Sequence, residues 1–497
     1  MGGRSVIFPL YSLASKGPLK PCTSDSSLTD DCTVFFGDGA SMGLSLFAVL
    51  VFTFAVFVFE TALDVRQRAV LRSPEEPKKL YDVVGQIDKH NAVVAKKEEG
   101  EKKEEPLAAQ IKSKFSSSTS YALDKINLSL FSQLFELSTG AAFMLAGAYP
   151  FMWRAAAEAG GRAFGWNERE DELKVSVLFF VLTTLVGEVL NLPISVYSTF
   201  HVEKKHGFNK TTPSLYITDK LKSLLLSFLI GSPVITLLLY IVKSTGPRFY
   251  LYAWALMFCF SVAMMTIYPA FIMPMFNKFD PLPDGPLKES IEALAKKVSY
   301  PLTKLFVIDG SKRSSHSNAF MFGFGKNKRI VLFDTLMTQV TQHELLSILG
   351  HELGHWALSH TLVNFFVTQL YFGAAFFGFG TVVNSSHLYA AFGFDRDFVP
   401  TFVSLMIFMF YFWAPADKVI SFLLTVNTRA AEFAADRYSI NLGMKGLQSG
   451  LTKIHIENLG AMKCDWAYSA YHYSHPPLVE RLVAMAEEEE KFEAKQK

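Results

Sequence analysis

The chain reads as an all-α polytopic membrane protein with about seven transmembrane helices, and three observations predict that class. Half of its 497 residues are hydrophobic and 46 are Phe, more apolar surface than a soluble chain of this length buries. The apolar residues gather into seven runs, at 42–63, 128–153, 175–197, 224–242, 249–276, 362–383 and 402–426, each long enough for a hydrocarbon core of about 30 Å. Outside those runs, two helical stretches carry clustered His, Glu and Asp, residue types that hold metal ions. A net charge of +2 gives no reason to expect nucleic acid as a partner; the expected partner surface is the lipid bilayer.

From the N-terminus, residues 1–40 are polar and rich in Ser, Asp and Gly, and are expected to form a disordered lumenal extension. Residues 6–14 are too short, and too interrupted by Pro9, for a cleavable signal. The opening Met-Gly-Gly-Arg-Ser-Val lacks the Ser or Thr at its sixth position that myristoylation prefers. The four Cys (22, 32, 259, 464) make no disulfide framework; in the lumen Cys22 and Cys32 could pair, and two free thiols are equally compatible with the sequence. The unit 41–276 holds the first five spans and, at about 80–118, a charged cytosolic loop expected to be disordered. At its centre Lys96-Lys97-Glu98-Glu99-Gly100-Glu101-Lys102-Lys103-Glu104-Glu105 is low in complexity. Lys and Arg concentrate in 66–125, 201–222 and 277–359, whereas 384–400 has only Arg396 and 243–248 is very short. The positive-inside rule therefore puts the N-terminus in the lumen, and the 277–359 segment and the C-terminus in the cytosol. Glu60, Glu136, Glu188 and Asn191 lie in or at the ends of spans, where an unpaired charge is costly. Helix–helix pairing and a water-filled interior both answer that cost, the interior being the favoured expectation.

Residues 277–361 form the one soluble-like unit. Residues 304–309 and 329–333 alternate as strands, and Ser317-Asn318-Ala319-Phe320 lies between them as an edge on which a peptide can lie extended. Residues 342–358 read as one helix, apolar at Leu345, Leu346, Ile348, Leu349, Leu353 and Trp356. It contains His351-Glu352-Leu353-Gly354-His355. Positions i and i+4 share a helix face, so His351 and His355 can grip one zinc ion. Glu352 then stands beside the open position, where it can take a proton from the attacking water. A hydrolytic zinc site needs a third protein ligand. The metzincin spacing would want Gly at position 358 and His at 361; Leu358 and Thr361 exclude it, and His360 reads as a helix-end residue. The spans in 362–426 follow. In the cytosolic unit 427–497, Glu432 and Asp436 share a face of another helix, giving one carboxylate for the metal and one for the far nitrogen of a ligand histidine.

With these blocks the chain resembles the type 1 CAAX prenyl proteases, integral-membrane zinc metalloproteases of the endoplasmic reticulum. The likeness covers most of the chain after residue 40. Beside the zinc motif it rests on Tyr121-Ala122-Leu123-Asp124-Lys125, on Pro193-Ile194-Ser195-Val196-Tyr197-Ser198-Thr199-Phe200, and on Glu203-Lys204-Lys205-His206-Gly207-Phe208-Asn209. It rests further on Pro269-Ala270-Phe271-Ile272-Met273-Pro274-Met275-Phe276-Asn277, Ser317-Asn318-Ala319-Phe320, Glu432-Phe433-Ala434-Ala435-Asp436 and Ser474-His475-Pro476-Pro477-Leu478.

The resemblance implies helices enclosing a water-filled chamber, with a gluzincin-like zinc helix and a small β element on the cytosolic side. It implies removal of the last three residues from farnesylated CAAX proteins, with a second, upstream cleavage as a further option. One Zn2+ per chain would bind His351, His355 and Glu432, with Glu352 as general base and Asp436 orienting a ligand histidine. His475 would stabilise the oxyanion, and Asn318, Ala319 and Arg481 would serve substrate binding. The implied partners are prenylated CAAX proteins or peptides, and the implied location is the endoplasmic reticulum membrane, with the inner nuclear membrane as an option. The N-terminal extension and the Lys/Glu run are not shared blocks, and the final Glu-Ala-Lys-Gln-Lys lacks a dilysine retrieval pattern. Two readings of other kinds compete. The 201–209 and 269–277 blocks oppose a quality-control protease of the HtpX kind. The complete set of ligands and base opposes a channel or scaffold with a vestigial metal site.

Overall fold

A backbone in hydrocarbon must satisfy its N–H and C=O groups within its own segment, so apolar runs of this length fold as helices. The computed structural model describes residues 39–95 and 105–496. Helices α1 (Gly39–Arg72), α2 (Lys78–Ala95), α3 (Leu107–Leu145), α4 (Ala148–Phe164) and α5 (Glu172–Tyr197) come first, α5 continuing into a π-helical turn, Ser198–Glu203. Next come α6 (Pro213–Ser244) and α7 (Phe249–Ile267), the latter followed by a second π turn, Tyr268–Ile272. A soluble module follows: β1 (Phe279–Pro281), α8 (Pro286–Lys297), β2 (Leu302–Ile308), β3 (Ala319–Phe324), β4 (Asn327–Phe333), α9 (Asp334–Gln339) and α10 (Gln342–Ala357). The remaining helices are α11 (His360–Val382), α12 (Ser386–Ala390), α13 (Thr401–Ile407), α14 (Ala414–Asn441), α15 (Leu447–Glu457), α16 (Trp466–His472) and α17 (Leu478–Gln496). Among the described residues, six stretches are long and apolar enough to cross a membrane: Ser45–Arg72, Leu107–Leu145, Glu172–Glu203, Pro213–Ser244, Gly246–Met275 and His360–Val382. The pair Thr401–Phe412 and Ala414–Asn441, bent by 58°, makes a seventh. The chain is a multi-pass membrane protein.

Three boundaries differ from the expectations. The span expected at 128–153 divides, because α3 ends before Gly147, whose φ of +61° is one that L side chains resist, and α4 begins afresh after it. The seventh span does not stop at 426. It bends after the π turn Phe408–Phe412 and then continues as α14 to Asn441, so Glu432 and Asp436 stand on the spanning helix itself. The loop expected to be disordered at about 80–118 is helical at 80–95 and from Leu107 onward. Leu80, Val84 and Ile87 recur at helical spacing and bury with Leu107 and Ile111 against the soluble module. Asp88 accepts the Leu107 N–H at 2.8 Å and the Ala108 N–H at 3.0 Å, satisfying two of the donors that the start of α3 would otherwise orphan. The Lys/Glu run at 96–104 lies outside the described residues, as do residues 1–38 with Cys22 and Cys32.

The fold is helical with one mixed four-stranded sheet, of order β1-β2-β4-β3. The two expected strands are β2 and β4, paired in parallel; β3 and β4 form an antiparallel hairpin whose turn uses the left-handed Gly325 (φ +55°). Only Ala319 of the expected edge pair lies inside β3, and Asn318 immediately precedes it. Among the described residues β3 pairs on one side only, and it packs against α10 and α7. Ile330 and Leu332 of β4 share one core with Leu345, Ile348, Leu349 and Leu353 of α10, Ile440 of α14, Leu447 of α15 and Leu482 of α17. Each such side chain contributes about 1.5–3 kcal/mol on burial, which fixes α10 against the sheet on one side and α14 on the other.

Two of the intramembrane acids pair with cations. Glu60 Oε1 accepts from Lys418 Nζ at 2.7 Å and from the Tyr471 hydroxyl at 2.9 Å, and Glu188 accepts from Lys220 at 2.8 Å. Asn191 turns back onto the Gly187 carbonyl of its own helix, at 3.0 Å.

Candidate active site

The motif helix α10 starts at a complete capping box. Thr341 Oγ1 accepts the Glu344 N–H, and Glu344 Oε2 accepts the Thr341 N–H at 2.8 Å and the buried Lys453 ammonium at 2.9 Å. Small residues let α10 approach α14 closely. A Cβ on Gly354 would stand 3.1 Å from Ala435 Cα, and one on Gly350 would stand 2.8 Å from Ser439 Oγ. Ser439 Oγ also donates to the Ser347 carbonyl at 2.9 Å, locking the register of the two helices. That register sets Glu432 of α14 against the face of α10 that carries both motif histidines.

His351, His355 and Glu432 turn one donor atom each toward a common point, all within 4.8 Å of one another. Glu432 Oε2 lies 3.5 Å from His351 Nε2, and Oε1 lies 3.3 Å from His355 Nε2. His351 Nδ1 is 2.8 Å from Asp436 Oδ1, so a neutral His351 donates there and carries its lone pair on Nε2. That Nε2 faces His355 Nε2 at 3.1 Å. Two imidazole lone pairs and a carboxylate aimed at one point repel one another unless a cation lies among them, and this donor set fits a divalent metal. Behind it, Arg481 forks onto Asp436, with Nε 2.8 Å from Oδ2 and Nη2 2.6 Å from Oδ1. Burial disfavours the charge on Arg481, but Asp436 outweighs that and raises its pKa. Burial likewise works against a charged His355, and Glu432 outweighs it, so the imidazole pKa rises. Burial pushes the Glu352 carboxyl above its ordinary value, although the neighbouring His351 and His355 draw it down.

The structure brings together His351, Glu352, His355, Glu432, Asp436, His475 and Arg481. His475 is 58% exposed, and its Nδ1 lies 2.9 Å from Glu432 Oε2. Arg481, expected among the substrate-binding residues, is instead 8% exposed with its guanidinium engaged by Asp436. Asn318 is exposed and Ala319 is buried, both at the start of the edge strand that packs against α10. His360 does more than end a helix. It opens α11 with its Nδ1 2.9 Å from His355 Nδ1, the acceptor that a neutral His355 needs if Nε2 is to face a cation. Its place five residues after His355 was the only sequence signal for that role, and helical spacing alone does not announce it.

Two histidines and a carboxylate converging beside a half-buried Glu, the carboxylate on a helix that belongs to a membrane span, define an integral-membrane metallopeptidase. Comparison with known proteins gives the family. Residues 97–278 match the CAAX prenyl protease N-terminal unit of five membrane helices, and residues 281–489 match peptidase family M48. A CAAX prenyl protease 1 homolog from Oryza sativa is 42% identical over 448 residues, 90% of this chain and 98% of that protein. The Homo sapiens homolog is 38% identical, over 88% of this chain and 94% of its own length. The crystal structure of S. mikatae Ste24p superposes with a TM-score of 0.78 at 35% identity, covering 88% of this chain and 98% of that one. The chain belongs to the CAAX prenyl proteases of peptidase family M48.

Proposed function

We propose that the chain is a zinc metalloendopeptidase of the endoplasmic reticulum membrane, removing the last three residues of farnesylated Cys-a-a-X proteins on the cytosolic side. The convergence of His351, His355 and Glu432 within 4.8 Å beside Glu352 is the observation that carries the reading. Zinc held by those three side chains would supply Lewis-acid polarisation of the scissile carbonyl and a lowered pKa for water. Glu352 takes the proton of the attacking water and returns it to the leaving amine, a task suited to a carboxyl that burial has made more basic. His475, exposed at the rim of the cluster, donates to the carbonyl oxygen as negative charge develops there. Asp436 holds His351 in one tautomer, and His360 does the same for His355. The free edge of β3 takes the substrate backbone as an added strand, next to α10.

The test compares kcat/KM on a farnesylated Cys-a-a-X peptide with the same peptide bearing a free cysteine. The apolar chain contributes on burial, so the lipid is expected to be worth at least about tenfold, or about 1.4 kcal/mol of transition-state binding. Equal rates on the two peptides would leave a membrane metallopeptidase with another substrate.

A further inference from the structure

Sequence blocks that the metal cluster does not use meet at a second place. Tyr121 comes from α3, Glu203 from the π turn that ends α5, Phe208 from the loop after it, and His316 from the segment just ahead of β3. The Tyr121 hydroxyl donates to Glu203 Oε1 at 2.7 Å, and the other oxygen of Glu203 lies 3.4 Å from His316 Nε2. His316 Nδ1 lies 3.1 Å from Asn458 Oδ1, and that same oxygen accepts the Ser317 N–H at 3.4 Å. Phe208 stacks on the His316 ring with centroids 4.0 Å apart and planes 17° from parallel. The backbone joins in. Ser315 N–H donates to Phe208 O at 3.1 Å, and Lys210 N–H donates to Arg313 O at 3.0 Å. Arg313 itself forks onto Asp219 of α6 at 2.8 and 3.0 Å. Residues 313–317, immediately before the edge strand, are thus tied to three membrane-spanning helices, α3, α5 and α6, as well as to their own sheet.

We propose that Tyr121, Glu203 and His316 are positioning residues that hold the free edge of β3 in register with the membrane bundle. The inference rests on the reading that β3 takes the substrate backbone. A substrate anchored by a lipid in the bundle and by its backbone on β3 gains from the second attachment only when the two sites keep a fixed separation. A peptide without lipid has one attachment and needs no such register. Loosening the clamp should therefore harm lipidated substrate selectively.

The test uses the full chain in lipid nanodiscs, with Tyr121→Phe and His316→Gln, each measured on the farnesylated and the free-cysteine peptide. The ratio of their kcat/KM values is expected to fall at least fivefold, the free peptide losing less than the farnesylated one and bound zinc staying unchanged. Amide hydrogen exchange across Ala319–Phe324 should quicken in both variants while exchange across α10 does not. Glu203→Gln, which keeps an acceptor for Tyr121 but removes the carboxylate facing His316, gives the same readouts with the smallest change of shape. Unchanged exchange in β3 would overturn the clamp. So would an equal loss on both peptides, which a merely structural role would produce. A parent enzyme with no lipid preference would overturn the substrate reading alone, since the exchange arm still decides whether these residues hold β3.

Discussion

At the scale of single residues, the proposed mechanism separates metal holding from proton transfer. Glu432 is 3% exposed and contacts both motif histidines, and Glu352 is proposed to take the proton. Glu352→Gln keeps the shape of the side chain and removes its basicity. It is expected to retain metal stoichiometrically, read by elemental analysis, while turnover drops roughly 100-fold or more. Glu432→Ala is the contrasting variant and should lose the metal. A Glu352→Gln enzyme with near-parent turnover would move the base elsewhere.

At the scale of elements, two contacts can be probed by volume alone. Gly354 sits where α10 meets α14, and an added Cβ would press on Ala435 Cα at 3.1 Å and on Ala435 O at 3.2 Å. Those are backbone atoms and cannot step aside, so Gly354→Ala should cost about 1–3 kcal/mol and weaken metal retention by parting the histidines from Glu432. Gly140, with nothing within 4 Å of its would-be Cβ, is the control whose Ala variant should leave both unchanged. The second contact is the start of α3. Ile111 is fully buried in the core of the soluble module, so Ile111→Ala should cost about 2–5 kcal/mol, read as a lowered Tm. The exposed neighbour Lys112 should tolerate Ala without change. A silent Ile111→Ala would mean that the α2–α3 hairpin carries no packing load.

At the scale of the whole molecule, function depends on which side of the bilayer the metal cluster faces. By the positive-inside rule, the basic segments 201–222 and 277–359 predict an orientation in which the loop between α11 and α13 would be lumenal. With the four native Cys (22, 32, 259 and 464) replaced, Lys204→Cys should react with a membrane-impermeant maleimide on sealed vesicles whose cytosolic face is outward. Arg396→Cys should react only after permeabilisation. The reverse pattern would invert the molecule and place the metal cluster in the lumen.

Most of the membrane topology and much of the site were legible in the sequence, because both are written in local spacing. Long apolar runs have one way to satisfy their backbone in lipid. An i, i+4 pair shares a helix face wherever the helix goes, which is why His351 with His355, and Glu432 with Asp436, could be paired before any coordinates. Local spacing was silent or misleading where a residue's partner lies far along the chain. The charged stretch around residue 96 masked Leu80, Val84, Leu107 and Ile111, whose burial depends on a core built from residues 282–485. The partners of Glu60, Lys418 and Tyr471, lie more than 350 residues on, and only folding brings them to it. His360 looked like the end of a helix until the turn before α11 set its ring against His355. The sequence alone therefore determined which residues offer metal-binding and membrane-spanning chemistry. Only the tertiary structure decided how closely α10 and α14 approach, and with it the convergence of three donors on one point. That distance is set by Gly350, Gly354, Ala435 and Ser439, whose significance is the room they leave for one another.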